Sequence, residues 1–332
     1  MRTTISTDRA AAVELLRKGE VVALPTETVY GLAADALNPI AVAKIFEAKE
    51  RPRFDPLIVH LPSRAWLERI ANLSLQDREL ISKLADKFWP GPFTLIVQKR
   101  EIVPEIVTAG LDTVAVRISA HPVFAHVVGE FDQPLAAPSA NRFGRVSPTT
   151  AQHVLDELEA RIPLIIDAGP TQHGIESTIV AVREDRITIL RRGPITAEQL
   201  SEFAAVDSVT APGKVSAPGQ LPSHYAPKTP LRMIESAATF SPEKNQRVGL
   251  LAWHPRNGDG HCLKFAAVRR LSEKQDLREA AANLFRYLRE LDGLGLDLII
   301  AEQVPSRGLG AALLDRLEPA SRGLPVARDR PE

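Results

Sequence analysis

Short apolar runs rich in β-branched residues recur along the N-terminal part of the chain, at 21–24, 57–61, 94–97, 114–118 and 164–166. Between them, at 41–49, 65–70, 75–87 and 151–158, apolar residues fall at the spacing of one helix face. Two further runs, 177–182 and 186–190, flank the charged stretch 183–185, which predicts a hairpin. Strands alternating with helices point to an α/β fold around a mixed sheet.

The C-terminal part alternates too. Runs at 248–252 and 298–301 read as buried strands. Between them Leu277, Ala281, Leu284, Leu288 and Leu291 recur at steps of 4, 3, 4 and 3. That is an amphipathic helix, and Ser272 or Asp276 is placed to cap its start. A strand, a helix and a strand over this length predict a parallel crossover, hence a smaller Rossmann-like α/β sheet. Gly308 and Gly310 precede a helix at 311–317; a tight turn into that helix is preferred to a nucleotide fingerprint. No internal repeat is present. Pro212, Pro218, Pro222, Pro227 and Pro230 interrupt the chain between the two patterned parts. Proline fixes φ and removes donors, so neither a helix nor a central strand fits there. The expected organisation is therefore a catalytic domain at 1–208, a linker at 209–230 and a second domain at 231–332. The alternative for the proline-rich stretch is a long surface loop inside one domain.

Composition narrows the function. Lys plus Arg and Asp plus Glu both number 41, so the formal charge is zero. This excludes bulk-charge coating of nucleic acid and a polybasic membrane binder. Cys262 is the only cysteine, which rules out an internal disulfide and starves a cysteine-based zinc site of ligands. The first residues break their apolar runs with Asp8, Arg9, Glu14, Arg17 and Lys18, and no run of 18 apolar residues occurs, so a cytoplasmic location is expected. There is no P-loop, no Gly-x-Ser-x-Gly elbow, no HExxH and no metal-ligand spacing among the histidines. Catalysis by positioning and electrostatics is what remains.

Four segments carry polar chemistry. Thr26, Glu27, Thr28 and Tyr30 follow a strand end, where α/β sheets bind ligands; a helix N-cap at Thr26 or Thr28 explains them equally. Lys49, Arg51 and Arg53 end a helix before two prolines and lead towards His60. The macrodipole accounts for cations there, but a phosphate cluster fits better. His60 by itself reads more readily as a satisfied core histidine than as a ligand. Residues 137–148 mix hydroxyl, amide and guanidinium groups around Gly144 and could cradle phosphates, or could form a polar surface loop capping a helix. Glu176, Ser177 and Thr178 enter a strand, and could equally be strand-edge polar groups in water.

These segments together resemble the YrdC-type threonylcarbamoyl-AMP synthases in their longer, two-domain form. The matching pieces run in order: PTETVYGL at 25–32, KxRPxxxPLIVH at 49–60, WPGPFTLIV at 89–97, VAVR at 114–117 with His121 and Pro122, SAN and GxxSPT within 139–149, GxxST at 174–178, and LRRG at 190–193. HYAP at 224–227, NLFxxLRxLD at 283–292 and GLGxAxxDRL at 308–317 resemble the long form's linker and second domain. The resemblance implies a YrdC-like twisted mixed sheet with a concave pocket. It also implies an enzyme that joins L-threonine, bicarbonate and ATP, taken with Mg²⁺, into L-threonylcarbamoyl-adenylate and pyrophosphate. A separate transferase would pass the product to tRNA; no stable nucleic-acid binding, membrane partner or protein-held metal is expected.

By the same resemblance Arg117 would pair with the threonine carboxylate, and Thr28, His60, the backbone at Ala137 and Ser177 would complete that pocket. Lys49, Arg51, Ser139, Asn141 and Ser147 would hold the ATP phosphates and ribose, with Asp55, Thr113 and Arg191 in the same set and Tyr225 folding over the nucleotide. Lys49 and Arg51 would neutralise charge on the leaving pyrophosphate. Three departures stand out: Asp55 where the family commonly has Asn, Ser119 in place of the proline after VRI, and a linker lacking the usual Met and the basic residue before His224. Two rival readings belong to related YrdC-like domains: a carbamoyltransferase using carbamoyl phosphate, and a non-catalytic RNA-binding module.

Overall fold

The computed structural model describes residues 2–208, 225–254 and 264–323. The chain divides into two compact units: residues 1–143 with 147–220, and Gly144–Val146 with Leu221–Glu332. Most of the proline-rich stretch, 209–224, lies outside the described residues.

In the first unit the elements run β1 (Thr4–Ser6), α1 (Arg9–Arg17), β2 (Val22–Leu24), β3 (Gly31–Asp35), α2 (Pro39–Lys49), β4 (Ile58–His60), α3 (Ala65–Ile70), β5 (Ala71–Asn72), α4 (Leu75–Phe88) and β6 (Phe93–Lys99). They continue with α5 (Glu105–Thr108), β7 (Thr113–Arg117), α6 (Pro122–Phe131), β8 (Leu135–Ala136), α7 (Ala151–Leu158), β9 (Leu164–Ile166), β10 (Thr178–Arg183), β11 (Arg186–Arg191), α8 (Ala197–Leu200) and β12 (Ala205–Ser208). The 12 strands form one mixed sheet in the order β1-β9-β2-β3-β8-β4-β7-β6-β10-β11-β12, with β5 added beside β6. The expected hairpin is β10–β11, paired antiparallel; Glu184 and Asp185 both take positive φ, as a two-residue turn matched to strand twist requires.

The pleat explains where a site can form. On β4, β7, β6 and β10 the residues Val59, Val114, Val116, Leu95, Val97 and Val180 point into one apolar core, where α2, α3, α4 and α7 pack. Their strand neighbours Ile58, Ala115 and Ile179 point the other way, into a small cluster with Ile96 and Leu190 to which no described helix contributes. On that second face α1 and α6 cover only the β1-β9-β2-β3-β8 end, through Ala12, Leu16, Phe124 and Val127 against Val22, Leu24 and Ile166. The rest of the face, over β7-β6-β10-β11, carries the small cluster without a described helix.

The second unit carries β13 (Leu231–Ile234), β14 (Val248–Ala252), β15 (Ala267–Arg270), α9 (Leu277–Asp292), β16 (Leu298–Glu302) and α10 (Leu309–Ala320). Its four strands are all parallel, in the order β13-β16-β14-β15. The expected strands β14 and β16 lie side by side in parallel, but the chain forms β15 before entering α9, so α9 carries the crossover from β15 to β16; the apolar pattern revealed neither β13 nor β15. Asp276 caps α9 by accepting from the backbone N–H groups of Arg278 and Glu279, and Ala281, Leu284, Leu288 and Leu291 are buried as the period requires. Gly308, at φ 53°, makes the turn into α10. Among the described residues no helix is long and apolar enough to cross a membrane.

Candidate active site

Register assembles the site. His60 on β4 and Arg117 on β7 are paired residues of parallel strands, and Ile179 on β10 is paired with Thr94 on β6 and with Arg191 on β11. Two-residue periodicity therefore sends His60, Arg117 and Thr94 to the second face, and the register shift between Ile179 and Val180, which leaves Leu190 as an extra residue of β11, brings Arg191 to it as well. His60 and Arg117 are buried, and His60 Nδ1 and Arg117 Nε have no hydrogen-bond partner. Unpaired polar atoms at such depth are costly, and at a cleft they mark where a ligand would complete the bonding. Burial, then the nearby Arg117 charge, pushes the His60 pKa well below its ordinary 6.5, so the imidazole is neutral. Its ring lies 4.5 Å from that of Phe124 on α6. His60 is thus buried as a core histidine would be, but not satisfied as one.

The loop between β2 and β3 closes on Arg117. No helix starts there, so the capping alternative falls. Thr26 Oγ1 instead accepts from the N–H of Thr28 at 3.1 Å and of Val29 at 3.2 Å, a hydroxyl turn linking two antiparallel strands. Thr28 Oγ1 accepts from Arg117 Nη1 at 3.3 Å. The Glu27 carboxylate accepts from Arg117 Nη2 and, at 2.5 Å, from the Ser119 hydroxyl. Ala137 is buried beside this loop, its N–H bonded to the Ile58 carbonyl at 2.9 Å. Ser177 stands across the face, where its hydroxyl meets Thr94 Oγ1 at 2.8 Å and accepts from Arg191 Nη2 at 3.0 Å.

A cationic cluster adjoins. Lys49, the last residue of α2, is almost wholly buried and donates Nζ to the carbonyls of Ser139 and Asn141. Burial, then Arg51, pushes its pKa well below the ordinary lysine value, while Asp55 and Glu157 act the other way. Arg51 pairs with Asp55 at 2.9 Å and also donates to the carbonyls of Asp55 and Pro56. Burial raises the pKa of Asp55; Arg51, Lys49 and Arg191 pull it back, so these three cations surround one carboxylate. Ser147 donates to Glu176 at 2.5 Å. Arg53 is exposed and does not join the cluster, because the turn before Asp55 carries it outward. Thr113 occupies the same face of β7 as Arg117, four residues away or about 13 Å along a strand. A cavity of about 440 Å³ opens at that end, with Ile96, Gln98, Thr113, Thr188 and Leu190 in its walls.

Tyr225 belongs to the second unit. It is buried there with φ 61°, its ring 5.5 Å from Phe285 and 5.1 Å from the Arg316 guanidinium. The remainder of the segment expected to act as a lid lies outside the described residues.

A family profile described as "Telomere recombination" (Sua5, YciO, YrdC) matches residues 14–193, and a second, "Threonylcarbamoyl-AMP synthase, C-terminal domain", matches 195–321. The threonylcarbamoyl-AMP synthases of Pyrococcus abyssi and Bacillus subtilis are 38% and 40% identical, over 93% and 95% of this chain and 93% of each relative. The chain belongs to the threonylcarbamoyl-AMP synthase family. It is the two-domain form of that family. The solved structure of P. abyssi Sua5 in complex with L-threonine superposes with a TM-score of 0.83 at 35% identity, covering 97% of both chains.

For this synthase-family fold, sequence reasoning passed over several residues. Glu27 was given no role of its own and Ser119 stood only as a missing proline, yet Glu27 accepts from Arg117 and Ser119 donates to Glu27. Thr94 and Glu176 bond to Ser177 and Ser147 respectively. Gly193 lies so close to the strand entering β10 that an added Cβ would stand 2.4 Å from Thr178 N and 2.6 Å from Glu176 O. The LRRG motif was the one available signal for that glycine.

Proposed function

We infer that this chain is an L-threonylcarbamoyladenylate synthase, forming L-threonylcarbamoyladenylate and pyrophosphate from ATP, L-threonine and bicarbonate. One observation carries the reading furthest. A buried guanidinium and a neutral imidazole, each with an unpartnered nitrogen, stand side by side on one sheet face, and Lys49, Arg51 and Arg191 gather around the Asp55 carboxylate. The first pair suits an amino acid, and the second suits a polyphosphate. The relatives matched across both domains are synthases, which favours neither the carbamoyltransferase nor the RNA-binding reading.

In this reading Arg117 takes the threonine carboxylate. Thr28, His60, the Ala137 backbone and Ser177 surround the rest of the amino acid, with His60 Nδ1 accepting from its polar hydrogens. Lys49, Arg51, Ser139, Asn141, Ser147 and Arg191 receive the phosphates and ribose, the base lies towards Thr113, and Tyr225 serves as the cover. The threonine nitrogen, as the free amine, bonds to the bicarbonate carbon with loss of water. The resulting carbamate oxygen then bonds to the α-phosphorus as the bond to pyrophosphate breaks. Lys49 and Arg51 take up the charge on the departing group. Among the described residues no group of three or more His, Cys, Asp or Glu could hold a metal ion. In this reading Mg²⁺ enters with ATP, where it would neutralise phosphate charge. The product would pass, in the cytoplasm, to a transferase that modifies adenosine beside the tRNA anticodon. Purified protein given ATP, Mg²⁺, threonine and bicarbonate should release pyrophosphate only when threonine and bicarbonate are both present. Release indifferent to either would overturn the assignment.

A further inference from the structure

Glu27 lies inside the amino-acid pocket but is not free to touch an occupant. One carboxylate oxygen accepts from Arg117 Nη2 and the other from the Ser119 hydroxyl at 2.5 Å. Burial pushes its pKa up, but Arg117, the Ser119 hydroxyl and the backbone N–H groups of Glu27 and Ala120 pull it down further, so it stays ionised. Ser119 is itself fixed by accepting from the His121 N–H at 3.2 Å. On the other side, Arg117 Nη1 is held by Thr28, whose hydroxyl contacts that of Thr26 at 2.8 Å. Each terminal nitrogen of the guanidinium thus gives one N–H to the protein, and Nε remains without a partner.

We propose that Glu27 is a positioning residue. It fixes the plane of the Arg117 guanidinium so that its open edge meets the carboxylate of the amino-acid substrate, and Ser119 locks Glu27 in that orientation. A guanidinium edge held in one orientation rewards one well-placed carboxylate. The proposal rests on the threonine-pocket reading above and adds two residues to it.

The test compares steady-state kinetics and threonine binding of the wild type with Glu27→Gln, Glu27→Asp, Ser119→Ala, Arg117→Lys and the double variant Glu27→Gln/Arg117→Lys. Glu27→Gln should raise the KM for threonine about tenfold or more while leaving the KM for ATP within about twofold, the signature of one lost subsite. Ser119→Ala should move the threonine KM the same way, about threefold, and Glu27→Asp should recover part of the loss. In the Arg117→Lys background Glu27→Gln should add less than about twofold, since residues acting through one another are not additive. If Glu27→Gln does not fold, Ser119→Ala and Glu27→Asp decide the matter. An unchanged threonine KM, or threonine and ATP constants rising together, overturns the proposal. A wild-type protein that binds no threonine removes the underlying reading instead, and the proposal with it.

Discussion

His60 and Arg117 are register partners on the adjacent parallel strands β4 and β7, both buried, and the charge of the arginine helps keep the histidine neutral. Each also retains a nitrogen without a hydrogen-bond partner. This adjacency follows from two sequence motifs lying more than fifty positions apart, and it has consequences for stability as well as for binding.

Because the folded-state pKa of His60 lies well below its ordinary 6.5, the unfolded chain binds a proton that the folded chain refuses. The stability contributed is complete above pH 6.5 and is lost as pH falls from there towards the folded value. Denaturant melts of wild type and His60→Asn between about pH 5 and pH 8 should therefore show a shallower acid decline in the variant. Parallel declines would place the acid sensitivity elsewhere.

Lys49 joins the end of α2 to the carbonyls of Ser139 and Asn141. Lys49→Met keeps the aliphatic stem and removes the ammonium. Turnover at saturating ATP and threonine should fall at least tenfold, about 1.4 kcal/mol of transition-state stabilisation. A turnover within twofold of wild type would show that this charge does not act on the reacting phosphates.

Asp55 neutralises part of the charge that Arg51 would offer a polyphosphate, since the two are paired at 2.9 Å. Asp55→Asn keeps the shape, and the carbonyls of Asp55 and Pro56 still hold the guanidinium. The unliganded variant should melt below wild type, because Arg51 loses its counter-ion at a buried site. ATP should then raise its melting temperature by more than it raises that of wild type, and the KM for ATP should fall about threefold or more. A higher KM for ATP would mean that the carboxylate itself serves the nucleotide.

Gly193→Ala places a methyl carbon within 2.4 to 2.6 Å of Thr178 N, Glu176 O and Ser177 C, all backbone atoms that cannot swing aside. The strand entry must shift, and Ser177 and Glu176 with it. We expect a destabilisation of about 2 kcal/mol or more by chemical denaturation, together with a raised threonine KM. A variant matching wild type in both would show that the loop relaxes freely.

Much of this was legible without coordinates. Short apolar, β-branched runs marked β4, β6, β7 and β10 as strands. The 4-3-4-3 spacing marked α9, and the charged turn marked the β10–β11 hairpin, because local patterning reports which residues face apolar surroundings. The order of motifs marked Lys49, Arg51, His60, Arg117 and Ser177 before any fold was known. Other elements gave little signal. β3, with the sequence GLAAD, and the two-residue β8 are too short or too alanine-rich for periodicity to register, and α1 and α6 were not marked either.

What sequence alone determined, then, is many of the elements, the face their residues take within them, and the motifs that name the chemistry. Tertiary structure decided which faces meet. Glu27 reaches Arg117 across ninety positions, Thr94 reaches Ser177 across 83, and Lys49 reaches the carbonyl of Ser139 across 90. Strand order, register and the depth of burial set those contacts. They depend on the whole sheet closing cooperatively around its core, and no local window of residues contains that information.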